Sequence, residues 1–418
     1  MSETRPRLAY AYHPHSFPTM AIIAAARGRC DLLWLVDASD PDVGSMTKLL
    51  ARTGTVIDIS GMSPGQAASA TATHRPDGVL ALADDLLVWT AHVAAELELP
   101  FLGVDAAVRL TDKFAQRDAF RAAGLAAPGS TVVNSRTSSV EWERIAAECH
   151  FPAVLKPRRG EGSRNTLAAT SAAHAREVVE TAARDDDALG DWVLEEYIPD
   201  IDRPVCGEGF ANYVSVESFI SHGTLQHLAV TGRTPPAQPF RETGFFIPAA
   251  VETTLAATIR ETAERSILAL GATIGCFHTE VKLTPTGPVV IEVNGRIGGG
   301  VPEMLALITN VDFLGIAIRI ALGENVVMDV PDPAGVGYLL YVQPPNRISR
   351  VTSVSGLTEL QSLSDVHEIA LNRGPGHSVD WRDGNHGHVF SVLGSTESHD
   401  SFRSLFHQVE SVVSIDGV

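Results

Sequence analysis

The densest chemistry in this chain lies in residues 276–303, CFHTEVKLTPTGPVVIEVNGRIGGGVPE. Two strand-like runs, 276–283 and 289–293, flank Thr-Pro-Thr-Gly-Pro, and that turn chemistry predicts a β-hairpin. Pairing centred on Thr286 sets Glu280 opposite Glu292 and His278 opposite Asn294. Alternation along the strands then puts these four side chains and Lys282 on one face. Like charges directly opposite each other destabilise a sheet, so the two carboxylates require a cation between them. Oxygen ligands of this kind suit Mg²⁺ or Mn²⁺, and Mg²⁺ is usually held by one or two carboxylates together with substrate phosphates. A solvated polar face is the alternative. Arg296 and the glycines Gly298, Gly299 and Gly300 follow at once, however, and a solvated face needs neither.

Phosphate chemistry is suggested elsewhere. Residues 110–124 predict a helix, with Thr111 or Asp112 as cap and Gly124 at its end. Lys113 falls in the first turn, where the helix dipole favours anions, so either an approaching phosphate or plain solvation holds it there. Lys156 ends a strand, 153–157, that runs into Arg158-Arg-Gly-Glu-Gly-Ser-Arg164 and then a second strand, 165–170. This glycine loop joins two antiparallel strands and does not open a helix, so neither the P-loop nor the dinucleotide pattern applies. Free N–H groups of Gly160, Glu161, Gly162 and Ser163 can still fold over phosphate oxygens. The strand at 192–198 carries the acidic pair Glu195-Glu196. An inward carboxylate is costly without a donor, and the exocyclic amine of an adenine is one candidate for whichever of the two faces in.

The elements that position these residues follow from periodicity. Strand candidates at 7–12, 31–36, 55–59 and 78–83 alternate with helical segments at 20–27, 46–52 and 86–97, which implies a parallel sheet with helices on its faces. Ligands of such sheets sit beyond the carboxyl ends of the strands. Asp84 and Asp85 stand there, as substrate contacts or as caps of the next helix. A second hairpin is expected at 214–231, a helix at 252–270, and a buried apolar helix at 302–322. Beyond the proline-rich break at 330–333, short strands and a final helix suggest a smaller α+β cap. The domains expected are 1–108, 109–198, 199–328 and 329–418.

Composition narrows the class. With 418 residues, 44% hydrophobic and 20% charged, the chain reads as a soluble globular protein of several packed units. A net charge of −18 disfavours nucleic acid or an anionic membrane as partner, and the densest basic pair, Arg158-Arg159, belongs to the glycine loop. The start, MSETRPRLAYAYHP, lacks the apolar core of a signal peptide. Cys30, Cys149, Cys206 and Cys276 are far apart, with no metal-ligand spacing, and fit a reduced, cytoplasmic setting. His377, His386 and His388 have no metal-ligand spacing either and read as surface. No Ser or Cys lies in a nucleophile motif.

Taken in chain order, these pieces resemble an ATP-grasp ligase, most closely the L-amino-acid (dipeptide) ligases. The resemblance rests on TDKFAQRDAFRAAGLAAP, VLKP, RRGEGSRN, LEEYI, Val216-Glu217-Ser218 and, above all, HTEVKLTPTGPVVIEVNGRIGGG. It implies an α/β plus α+β architecture: a parallel-sheet pre-ATP-grasp domain, two α+β subdomains clasping ATP, and a small C-terminal subdomain. It implies that Lys113 and Lys156 contact phosphates, that the loop at 160–163 closes over them, and that Glu195 or Glu196 with Tyr197 and Ile198 holds adenine. Glu217 and Lys282 would complete the nucleotide site, and Glu280, Glu292 and Asn294 would bind Mg²⁺ or Mn²⁺. Arg296 would stabilise an acyl-phosphate and the tetrahedral intermediate. Asp85, Gly299 and Gly300 would lie near the substrate, and His278 would be either a base for the attacking amine or a hydrogen-bonded neighbour. One departure stands out: where relatives read Gly-x-Glu-Tyr-Ser-Val-Glu, this chain has Gly209-Phe-Ala-Asn-Tyr-Val-Ser-Val-Glu217 and lacks the first acid.

The activity implied is ATP-dependent joining of a small-molecule carboxylate to an amine through an acyl-phosphate, with amino acids or amino-acid-like molecules as the expected substrates. The glycine loop and residues 233–246 are expected to close the site, and a homodimer is expected from the family. The rival readings are an ATP-grasp carboxylase or purine-pathway ligase, and a non-catalytic nucleotide-binding protein.

Overall fold

The computed structural model describes residues 5–185 and 190–418. The first four residues of the N-terminal stretch read above lie outside the described residues. The chain opens with β1 (Arg7–Ala11), β2 (Asp31–Val36), β3 (Gly54–Asp58) and β4 (Gly78–Ala81), parallel in the order β3-β2-β1-β4. Their side chains are buried almost throughout β1, β2 and β4, as befits a parallel sheet covered on both faces. β1 neighbours both β2 and β4, so the strand order reverses beside it and the segments after β1 and β4 emerge together.

A four-stranded antiparallel sheet follows, of β5 (Ser130–Val133), β6 (Ala153–Pro157), β7 (Leu167–Ala169) and β8 (Trp192–Glu196), ordered β5-β8-β6-β7. Val133, Leu155, Trp192 and Leu194 pack beneath Trp142, Ile145 and Val179 of its two helices. The glycine loop crosses from β6 to β7, as its flanking strands implied.

The third sheet has eight strands. It contains β9 (Tyr213–Ser221), β10 (Thr224–Arg233), β11 (Gly244–Ile247), β12 (Gly275–Thr284), β13 (Gly287–Asn294) and β14 (Val336–Val342). After β15 (Val351–Ser355) come β16 (Val366–Leu371), β17 (Phe390–Thr396) and β18 (Ser414–Gly417). The order is β13-β12-β9-β10-β11-β14-β17-β16, with β15 and β18 paired apart. The C-terminal segment expected as a separate cap therefore adds three strands to the large sheet. Tyr338, Phe390 and Phe402 share one core with Val216, Phe277 and Val293.

The helix expected over 302–322 is two helices, Val301–Thr309 and Phe313–Ala321, bent by 114°. Asn310 ends the first at φ +58°, and the Asp312 carboxylate caps the second by accepting from the Gly315 N–H at 2.8 Å. Among the described residues no single helix is long and apolar enough to cross a membrane.

Candidate active site

The three sheets enclose a cavity of about 770 Å³. Its floor is the β12–β13 hairpin, in which His278 faces Asn294 and Glu280 faces Glu292, as the symmetric reading required. The turn itself is tighter than that reading assumed. Thr284 pairs with Gly287, and the register moves by one between Glu280 and Val281, leaving Ile291 as the extra residue of a bulge. The Arg117 guanidinium donates to the Ile291 carbonyl. Gln116, one position earlier, exchanges both amide bonds with the Val293 backbone (2.9 Å each) and so closes the free edge of β13.

Charge converges on this floor from other elements. Lys113, at the first position of the helix Lys113–Ala122, is buried, and its Nζ lies 3.0 Å from Glu292. It also donates to the Gly160 carbonyl. Lys156 lies 2.8 Å from Glu195, whose other oxygen is 2.9 Å from Arg117 Nε. Lys156 pairs with Val193, so Glu195 is two residues along the neighbouring strand and on the same face. Burial opposes ionisation of Glu195, but Lys156 and Arg117 outweigh it and bring its pKa down to about 2. Glu195 is thus the inward acid, with both its donors inside the chain. Glu196 points outward and accepts from the Gly129 N–H at 2.9 Å.

His278 and Glu217 form a second buried pair, 2.9 Å apart. Burial alone would lower the imidazole, yet Glu217 prevails and raises it to about 9. His278 thus sits as a hydrogen-bonded neighbour of Glu217, with Arg233 Nη2 3.3 Å from its Nε2. Glu217 is fully buried and also accepts from Ser215 and Thr231 (2.6 and 2.8 Å). It lies under the floor and does not line the cavity, contrary to the nucleotide contact expected for it. Gly298 is required here because a Cβ would stand 2.4 Å from His278 Nδ1.

Arg296 already holds two carboxylates. Its Nε donates to Asp84 at 2.9 Å and its Nη2 to Glu161 of the glycine loop. Asp84, not Asp85, is the acid that contacts Arg296, and neither is among the residues that line the cavity. Asp85 is exposed and lies 3.3 Å from His13. Neither caps the helix Asp84–Leu97: the cap position is Ala83, so both occupy the first turn. Gly299 lines the cavity, whereas Gly300, at φ +74°, packs against Leu339. Lys282 is paired with Asp200, and both line the cavity with Tyr197 and Ile198.

Glu280, Glu292 and Asn294 offer two carboxylates and a carboxamide oxygen. Burial opposes ionisation of Glu280, yet His278, Arg233 and Lys156 outweigh it and hold its carboxyl well below the ordinary range. Among the described residues no three His, Cys, Asp or Glu side chains converge on one point. An ion would therefore take the hairpin oxygens and others supplied by a substrate, which fits Mg²⁺.

Several lining residues gave no local signal. Glu242, Tyr341 and Asn385 face the cavity, as do His386 and His388, which had read as surface. Sheet order brings them in, because β14 lies beside β11 and β17 beside β14. The closing element expected at 233–246 shrinks to the connection between β10 and β11. Arg233 and residues 244–246 are buried strand residues, and Arg241 ties the connection to Pro344 and Asn346.

Fold and site together define an ATP-grasp architecture, and residues 149–303 match the family described as ATP-grasp domain. The L-amino acid ligase of Bacillus licheniformis superposes over 100% of both chains with a TM-score of 0.78 at 19% identity. By sequence, an uncharacterized protein of Sinorhizobium fredii, y4rH, is 28% identical over 78% of this chain and 65% of its own length. The alanine–anticapsin ligase of Bacillus subtilis is 27% identical over 50% of this chain and 46% of its own. The chain thus spans less than two thirds of either curated relative.

Proposed function

We propose that this chain is an ATP-dependent carboxylate–amine ligase that joins amino acids or amino-acid-like substrates and releases ADP and phosphate. One observation carries the reading: Lys113, Lys156, the glycine loop, the Glu280–Glu292 pair and Arg296 all line one cavity. The likeness to the L-amino acid ligase and the alanine–anticapsin ligase supports it.

Adenine would lie along the Glu196-Tyr197-Ile198 segment, with Lys113 and Lys156 on the phosphates. The substrate carboxylate attacks the γ-phosphorus, the bond to the bridging oxygen breaks, and ADP departs. Catalysis of such a step is mostly positioning and charge neutralisation. An amine then attacks the acyl carbon, loses a proton and expels phosphate. Arg296 offers a planar fork to the phosphoryl oxygens and the oxyanion, which displace Glu161 from it. Mg²⁺ at Glu280, Glu292 and Asn294 would neutralise phosphate charge. The glycine loop excludes water, which would otherwise hydrolyse the acyl-phosphate. The partners are small molecules, and a cytoplasmic homodimer is part of the proposal.

A phosphate-release screen over pairs of amino acids tests it. Release that requires an amino acid, with an amide product by mass spectrometry, is the expected result. Stimulation by bicarbonate alone points to a carboxylase, and nucleotide binding without turnover to a non-catalytic protein.

A further inference from the structure

We propose that Glu242 holds the amine of the acceptor substrate and that Asn385 positions it. This rests on the ligase reading above and deepens it. Glu242 sits between β10 and β11 and lines the cavity together with Tyr341, Arg296 and Glu280. One oxygen accepts from Arg233 Nε at 3.0 Å and from the Tyr213 hydroxyl at 3.2 Å, and the other accepts from the Asn385 amide. A carboxylate has about four acceptor sites, so three are used inside the protein and one is left for a donor arriving through the cavity.

Arg233 borders the cavity but is pinned from several sides. It is fully buried, 4.4 Å from the Phe245 ring centroid and 5.5 Å from that of Tyr213. Its Nη2 donates to Ser215 at 3.0 Å. It therefore fixes Glu242 in place. Burial outweighs the pull of Arg233 and raises the Glu242 carboxyl above its ordinary range. An incoming ammonium supplies the favourable charge this group lacks, and a carboxylate so raised is a competent acceptor for the proton the amine must lose.

Asn385 completes the arrangement from the C-terminal segment. Its side-chain oxygen accepts from the Glu242 N–H at 2.8 Å, and its amide group donates to the Glu242 carboxylate. Its own N–H donates to the Gly162 carbonyl of the glycine loop at 2.8 Å. The carboxylate that anchors the amine is thereby aligned by the same residue that contacts the loop covering the phosphates. The amine site is complete when the loop is down, which protects the acyl-phosphate until an acceptor is bound.

The test separates the two half-reactions in the full chain. Hydroxylamine traps an acyl-phosphate without needing the acceptor site, whereas amide formation needs it. In Glu242→Gln and Glu242→Asp, the KM for the acceptor amine should rise roughly ten- to hundredfold, the loss of a hydrogen bond to a charged group. Hydroxamate formation and the KM for the carboxylate substrate should stay within about twofold. The Asp variant keeps a counter-charge for Arg233 and guards against misfolding. Asn385→Ala should raise the amine KM less and release more phosphate per amide formed. An unchanged amine KM in the Glu242 variants, or hydroxamate lost in step with amide, overturns the inference and leaves the ligase intact. A wild-type chain that yields no hydroxamate with any amino acid overturns the ligase reading instead.

Discussion

The small sheet and the β12–β13 hairpin face each other across the cavity and carry their acids differently. On the small sheet, Glu195 is closed between Lys156 and Arg117, both within 3 Å and all three buried. On the hairpin, the ion pair of Glu280 among the described residues is with His278 at 3.7 Å, and Glu292 depends on Lys113 from a separate helix. Removing one partner of a buried ion pair strands the other charge, so Glu195 is committed to holding two cations in place. The hairpin acids are more open to exchange their present partners for an arriving cation. The same residue type is thus structural on one wall and available on the other.

That contrast is broken most directly by truncating each acid. Glu195→Ala should cost about 3–5 kcal/mol of stability, since Lys156 and Arg117 are left buried without a counter-charge. Glu280→Gln should cost less, because its nearest cation, His278, stands 3.7 Å away and keeps Glu217 as a counter-charge, while abolishing amino-acid-dependent ADP formation. Urea denaturation read beside an ADP assay decides it. Equal destabilisation by the two variants would refute the division of roles. Next in size, Arg296→Lys should retain the fold, because an ammonium can still meet Asp84 or Glu161, yet lose roughly 10²–10³ in turnover with the planar fork. Near-native turnover in that variant removes Arg296 from the chemistry.

What the sequence made legible was local. His278, Glu280, Glu292 and Asn294 were placed correctly relative to one another because a strand repeats every two residues and the turn was marked by Pro and Gly. The bulge at Ile291 was invisible, yet it restores the register that the tighter turn would have shifted by one. The glycine loop was legible for the same reason, being bounded by short apolar strands. Residues meeting through sheet order were not. Glu242 and Asn385 are 143 positions apart and meet only because β14 and β17 join the large sheet beyond β11. The choice between Asp84 and Asp85 likewise depended on the rotation of a helix whose start shifts by a residue or two in any reading from sequence.

A further effect expected is a pH dependence that can be read at the committed wall. The Glu195 pKa falls from an ordinary 4.5 to about 2, burial opposing ionisation but Lys156 and Arg117 prevailing. A carboxyl depressed on folding contributes stability that is complete above its unfolded value and is lost as pH falls through its folded value. The contribution is on the order of 3 kcal/mol, from about 1.4 kcal/mol per unit. Glu195→Gln cannot titrate, so the stability gap between wild type and this variant should be constant above about pH 5 and narrow steadily as the pH drops toward 2. Urea midpoints at several pH values measure that gap. A gap that stays constant down to pH 3 would mean that Lys156 and Arg117 do not draw their stability from the Glu195 charge, and the closed triad would then be no different in kind from the open hairpin acids.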